Sequence, residues 1–129
     1  MPRVLADADL VAFVASRDLA ASHKFYGEVL GFRLLEASDF ANAYDANGTQ
    51  LRVTLVEKPA QATYTVLGWR VSDIGATIEA LREAGVVFNS YEGMTRTEQN
   101  VWVAPGGSRI AWFADPDGNI LSLQQPPPA

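Results

Sequence analysis

The sequence predicts an α+β protein made of two βαβββ modules in tandem, and three observations carry that expectation. A series of strand, aspartate, helix and glycine occurs twice, from Val11 to Gly31 and from Val66 to Gly85, the second copy one residue shorter. Each copy runs on into a strand-turn-strand unit, so that Asp45, Gly48 and Leu51 fall in register with Asp115, Gly118 and Leu121. Between the copies, Lys58-Pro59-Ala60-Gln61-Ala62 has no hydrophobic period and holds a proline, as a connection does. A repeat this long with only two copies is no solenoid. It places two modules, 8–57 and 64–125, in a single domain spanning 1–129.

The elements follow in order. Leu10 to Ala15 is a short apolar run, read as a strand, and Asp18 sits where an N-cap belongs. Leu19, Ser22, Phe25, Tyr26 and Val29 then recur at helical spacing, and Gly31 suits the left-handed position that ends a helix. Phe32 to Glu36, Phe40 to Tyr44 and Gln50 to Val56 read as three strands, the last two joined at Asn47-Gly48. In the second module Val66 to Val71 is a strand, and Asp73 caps a helix carrying Ile74, Thr77, Ile78, Leu81 and Ala84. Gly85 ends that helix ahead of a strand at Val86 to Asn89. The segment Tyr91 to Asn100 is polar, fits neither module and is expected to be a mobile loop. Trp102 and a Pro105-Gly106-Gly107 turn come next, then a strand from Arg109 to Ala114, the Asp115-Pro116-Asp117-Gly118-Asn119 turn and a final strand. The tail from Gln125 through three prolines is expected to stay outside the sheet.

Composition excludes several functions. A net charge of -5 without a cluster of Lys or Arg argues against a nucleic-acid partner, since phosphate binding needs a basic face. No apolar run approaches the roughly 20 residues that cross a bilayer. Arg3, Asp7 and Asp9 stand where a secretory signal would be apolar. The chain has no cysteine, hence no disulfide and no thiolate metal site, which fits a reducing cytoplasm.

Asp18-Leu19, Phe25-Tyr26, Leu30-Gly31-Phe32, Val71-Ser72-Asp73, Gly85-Val86 and the closing Phe113-Ala114-Asp115-Pro116-Asp117-Gly118-Asn119 together resemble the vicinal oxygen chelate superfamily. That group includes glyoxalase I, extradiol dioxygenases, fosfomycin-resistance enzymes and bleomycin-resistance proteins. The resemblance implies a curved eight-stranded mixed sheet around a cavity, with the helices outside, commonly in a homodimer. It also implies, for the enzymes, a divalent metal held by His, Glu or Gln side chains on the first and fourth strands of each module. Counting back from the capping aspartates and forward from the glycine turns, those positions hold Val11, Arg52, Val66 and Ser122. Valine offers no lone pair and a guanidinium repels a cation, so neither a metal nor another cofactor is expected. A one-residue slip brings in only Ala12, Leu51 or Val53, Leu67, and Leu121 or Leu123.

The same registration suggests what lines the cavity, because side chains alternate along a strand. Val11 and Phe13 point inward from the first strand, Gln50, Arg52 and Thr54 from the fourth, and Phe40 and Asn42 from the third. In the second module the inward set is Val66, Gly68 and Arg70, then Ile110 and Trp112, then Ser122 and Gln124, with Trp102 beside them. Apolar walls with a few placed polar groups suit a small molecule. His23, the sole histidine, is expected to be an exposed polar residue of the first helix. The Asp-Pro-Asp-Gly-Asn turn lacks the further acidic ligands of a calcium loop and is expected to shape a hairpin.

The sequence thus points to a metal-independent protein that sequesters a planar or aromatic ligand, with no catalytic residue assigned. The other reading is a glyoxalase- or dioxygenase-type metalloenzyme with a non-standard metal site. A metal-free isomerase or hydrolase relying on Arg52 lacks an evident general base.

Overall fold

The computed structural model describes residues 3–90 and 99–128. The residues 91–98, most of the expected mobile loop, lie outside that description. Contacts divide the chain at Pro59 and Ala60 into two compact units.

In the first unit β1 (Val11–Ser16) is followed by helix α1, which is α-helical over Leu19–His23 and π-helical over Lys24–Val29. Strands β2 (Arg33–Ala37), β3 (Ala41–Ala46) and β4 (Thr49–Leu55) complete a four-stranded sheet in the order β1-β4-β3-β2. The β1 and β4 pair is parallel and the others antiparallel, which makes the sheet mixed. In the second unit β5 (Thr65–Arg70), α2 (Ile74–Glu83), β6 (Trp102–Val103), β7 (Arg109–Ala114) and β8 (Ile120–Gln125) repeat the order β5-β8-β7-β6. Two βαβββ modules are therefore present.

Local chemistry accounts for the element ends. Asp18 accepts hydrogen bonds from Ala20 N and Ala21 N, and Asp73 accepts one from Ala76 N, so both expected N-caps are made. The extra residue in the first copy has a structural expression: Leu30 N donates to Phe25 O, five residues back, as a π-helix requires. A longer stretch between the same cap and closing glycine is accommodated by widening one turn.

Each helix covers one face of its own sheet. In module one the buried side chains of Val14, Ser16, Tyr44, Leu51 and Val53 share that face, and Ser22 of α1 donates to Ser16 Oγ at 2.6 Å. In module two the set is Phe113, Leu121 and Leu123 with Ile74 and Ile78 of α2, and the Trp69 ring stacks on Phe113. Fully burying such aliphatic and aromatic side chains stabilises the fold by roughly 1.5–3 kcal/mol each. Trp69 lies on the helix side, as its strand position predicts, but is half-buried rather than fully in the core.

Three expectations fail locally. Val86 to Asn89 forms no strand; Phe88 makes only an isolated bridge to Phe113, and Trp102–Val103 takes the edge position instead. Gln125 joins the sheet opposite Arg109, and its side-chain oxygen accepts from Ile74 N at 2.8 Å, so the tail begins at Pro126. His23 is not a solvated helix residue: its ring stacks on Tyr44, with Nδ1 2.9 Å from the phenol oxygen.

Candidate functional site

Within each module, among the described residues, the sheet face opposite the helix carries no helix, and nearly every side chain expected to meet a ligand is on one of these two faces. Strand register assigns them. In module one Val11 pairs with Gln50, Phe13 with Arg52 and Ala15 with Thr54, which places these six on one face. Phe13 is 61% exposed there. Ala43 is the other register partner of Arg52, and Glu36 of β2 stands opposite Ala43.

Asn42 is a correction. It pairs with Val53, on the helix side, where its amide donates to Leu19 O and to Tyr44 Oη, each at 3.4 Å. The two hairpins explain the error. In module one Ala46 and Thr49 flank a two-residue turn, with Asn47 and Gly48 both at positive φ, whereas five residues separate Ala114 from Ile120. Registration through the glycines therefore slips by one residue on the incoming strand, and Ala43, not Asn42, is the counterpart of Trp112. Phe40 lies just before β3 and is 76% exposed; its carbonyl accepts from Leu55 N.

In module two Gly68 pairs with Ser122, Arg70 with Gln124, Ile110 with Gln124 and Trp112 with Ser122, again on one face. Trp102 pairs with Ile110, and its ring lies 6.1 Å from that of Trp112 at 34°. The Trp112 indole N–H donates to Thr65 Oγ1 at 3.1 Å, which fixes the ring across the sheet. A Cβ on Gly68 would come within 2.7 Å of Ser122 Oγ, so the missing side chain makes room for that hydroxyl. Val66 falls at an irregularity between Thr65 and Leu67 and has no strand partner. The Thr65 anchor was not legible in the sequence, because it depends on that irregularity.

The four positions that the resemblance assigns to a metal offer two valines, a guanidinium and one hydroxyl. That donor set does not fit a divalent ion, which takes carboxylate, imidazole or several oxygen ligands. Among the described residues no three His, Cys, Asp or Glu side chains cluster as metal ligands would. The carboxylates of the two hairpins have structural partners: Asp45 accepts from Gly48 N and pairs with Arg33 at 3.7 Å, and Asp115 accepts from Asp117 N, Asn119 N and Asn119 Nδ2.

Module two also has a groove of about 440 Å³ at the start of α2, lined in part by Asp73, Gly75, Gln99, Arg109 and Gln125. Three of its polar side chains hold the fold: Asp73 caps α2, Gln125 accepts from Ile74 N, and Gln99 donates to Gly75 O and Glu79. None of the side chains expected to bind a ligand lies in it.

Paired βαβββ modules, each with a helix on one sheet face and aromatic and polar side chains on the other, define the class of protein. Comparison with known families agrees: the Glyoxalase/Bleomycin resistance protein/Dioxygenase superfamily profile matches residues 9–123, and the chain belongs to that superfamily. Among solved structures it is similar to TnmS3, an antibiotic binding protein from Streptomyces sp. CB03234, at 28% identity and a TM-score of 0.65, covering 92% of this chain and 94% of that one. A superfamily member from Sphaerobacter thermophilus is 25% identical, with a TM-score of 0.70 and coverage of 91% and 95%. The bleomycin resistance determinant encoded on the transposon Tn5 shares the fold at 19% identity, with a TM-score of 0.72 and coverage of 92% and 97%. No curated protein matches the sequence significantly.

Proposed function

We propose that the protein binds and sequesters a planar or aromatic small molecule without a metal ion, as a homodimer in the cytoplasm. The observation that carries this reading is the Trp102 and Trp112 pair on the helix-free face of the second sheet, with Ser122 beside it in register. Indole faces give a flat ligand large apolar contact at little conformational cost, and a nearby hydroxyl supplies orientation. The likeness to an antibiotic binding protein supports the binding of a small molecule. The metal-free part rests on the donor chemistry of Val11, Arg52, Val66 and Ser122.

Thermal-shift screening in EDTA against planar antibiotics and carbonyl metabolites tests the reading. A ligand at about 100 times its Kd adds roughly 2.7 kcal/mol to stability, a shift of several degrees. At least one planar compound is expected to give that shift, and Trp112→Ala is expected to abolish it. If no compound in the panel stabilises the protein, the reading fails. Light scattering at micromolar concentration checks the dimer.

A further inference from the structure

We infer that Arg52 makes the helix-free face of the first module a binding site for a flat anion, one that carries a carboxylate, sulfonate or ionised phenol. This rests on the small-molecule-binding reading and gives the charge of a molecule held on this face.

Arg52 stands in the middle of β4, an interior strand flanked by β1 and β3, and is half-buried. A guanidinium in that position is either solvated or paired. Within its module, among the described residues, no carboxylate lies within 4 Å of it. Glu36 is across Ala43, two strands away, which the usual strand spacing makes about 9–10 Å. Asp45 is already engaged by Arg33 and Gly48 N. The fork therefore has room for an external partner, and a planar two-oxygen anion matches its geometry.

The neighbours on that face complete the subsite. Gln50 and Thr54, two residues to either side on the same strand, bring an amide and a hydroxyl. Ala43 leaves one flank of the guanidinium low, and Phe13 on the other flank presents an exposed ring to the body of a flat ligand. The protein's net charge of -5 opposes anions at long range, but salt screens that field beyond about 8–10 Å, so the local contact decides.

Two dyes with one aromatic frame separate charge from shape: anilinonaphthalene sulfonate, an anion, and N-phenylnaphthylamine, its neutral counterpart. Fluorescence titration of the wild-type protein is expected to show the anion binding about tenfold more tightly, as a charge-assisted hydrogen bond would give. Arg52→Met is expected to remove that preference while leaving the neutral dye within twofold. Equal wild-type affinity for both dyes overturns the anion subsite and leaves the binding reading standing; this arm needs no variant to fold. An unchanged preference in a folded Arg52→Met protein also overturns it. Binding of neither dye to the wild type removes the small-molecule reading and this inference with it.

Discussion

Tyr44 is where the first module concentrates its buried polar chemistry. Its side chain is fully buried, Asn42 donates to its oxygen, and His23 Nδ1 lies within hydrogen-bond distance. Burial pushes the phenol pKa up, and the Asn42 bond opposes this less strongly. A raised folded-state value means that the folded chain favours the neutral phenol. The contribution is therefore intact below about pH 10, the unfolded value, and is lost as pH climbs through the folded one. Tyr44→Phe is expected to cost about 1–2 kcal/mol at neutral pH, because it removes one of the two acceptors of the Asn42 amide and the partner of His23 Nδ1. It should also flatten the alkaline loss of stability above about pH 10. Urea denaturation of both proteins across that range checks the magnitude and the sign. Asp115 carries a similar burden at the second hairpin, where its carboxylate receives three hydrogen bonds in a buried turn. Asp115→Ala is expected to destabilise by about 2–3 kcal/mol in the same assay.

At the scale of elements, the sequence allowed seven of the eight strands and both caps to be placed because alternation and capping are local properties. Asp18 and Asp73 cap the two helices, and counting forward from Gly48 and Gly118 puts Arg52 and Ser122 on the helix-free faces. Counting backward through the turns failed at Asn42, because hairpin loop length sets the parity of the incoming strand. The bulge between Leu34 and Glu36, which brings Glu36 opposite Ala43, has no local signature either. The extra residue between Asp18 and Gly31 was visible as a length difference, but its resolution as a π-helix was not. That segment makes a counterintuitive prediction. Gly27 lies under the His23 ring, and an added Cβ would fall 2.5 Å from its Cε1. Helix propensity alone favours Gly27→Ala by about 1 kcal/mol. Overpacking against a ring stacked on Tyr44 costs about 1–3 kcal/mol, so the variant is expected to be less stable. A higher melting temperature for Gly27→Ala would show that the ring moves aside freely.

For the whole molecule, the side chains expected to meet a ligand fall mostly on the two helix-free faces. Superfamily membership and the likeness to an antibiotic binding protein narrow the class, while the side chains at the four expected metal positions bear on mechanism. Among the described residues no helix is long and apolar enough to cross a membrane. Two of the three tryptophans, Trp102 and Trp112, sit on the face proposed to meet a ligand, whereas Trp69 is stacked on Phe113 on the other side of the sheet. Tryptophan emission therefore reports on that face. The most direct test is to titrate the metal-stripped protein with the strongest planar ligand from the screen, following tryptophan quenching in EDTA and again with zinc, manganese or nickel. Quenching to saturation with a Kd that stays within twofold across all conditions is the expected result; binding that appears only when a divalent metal is restored would contradict it.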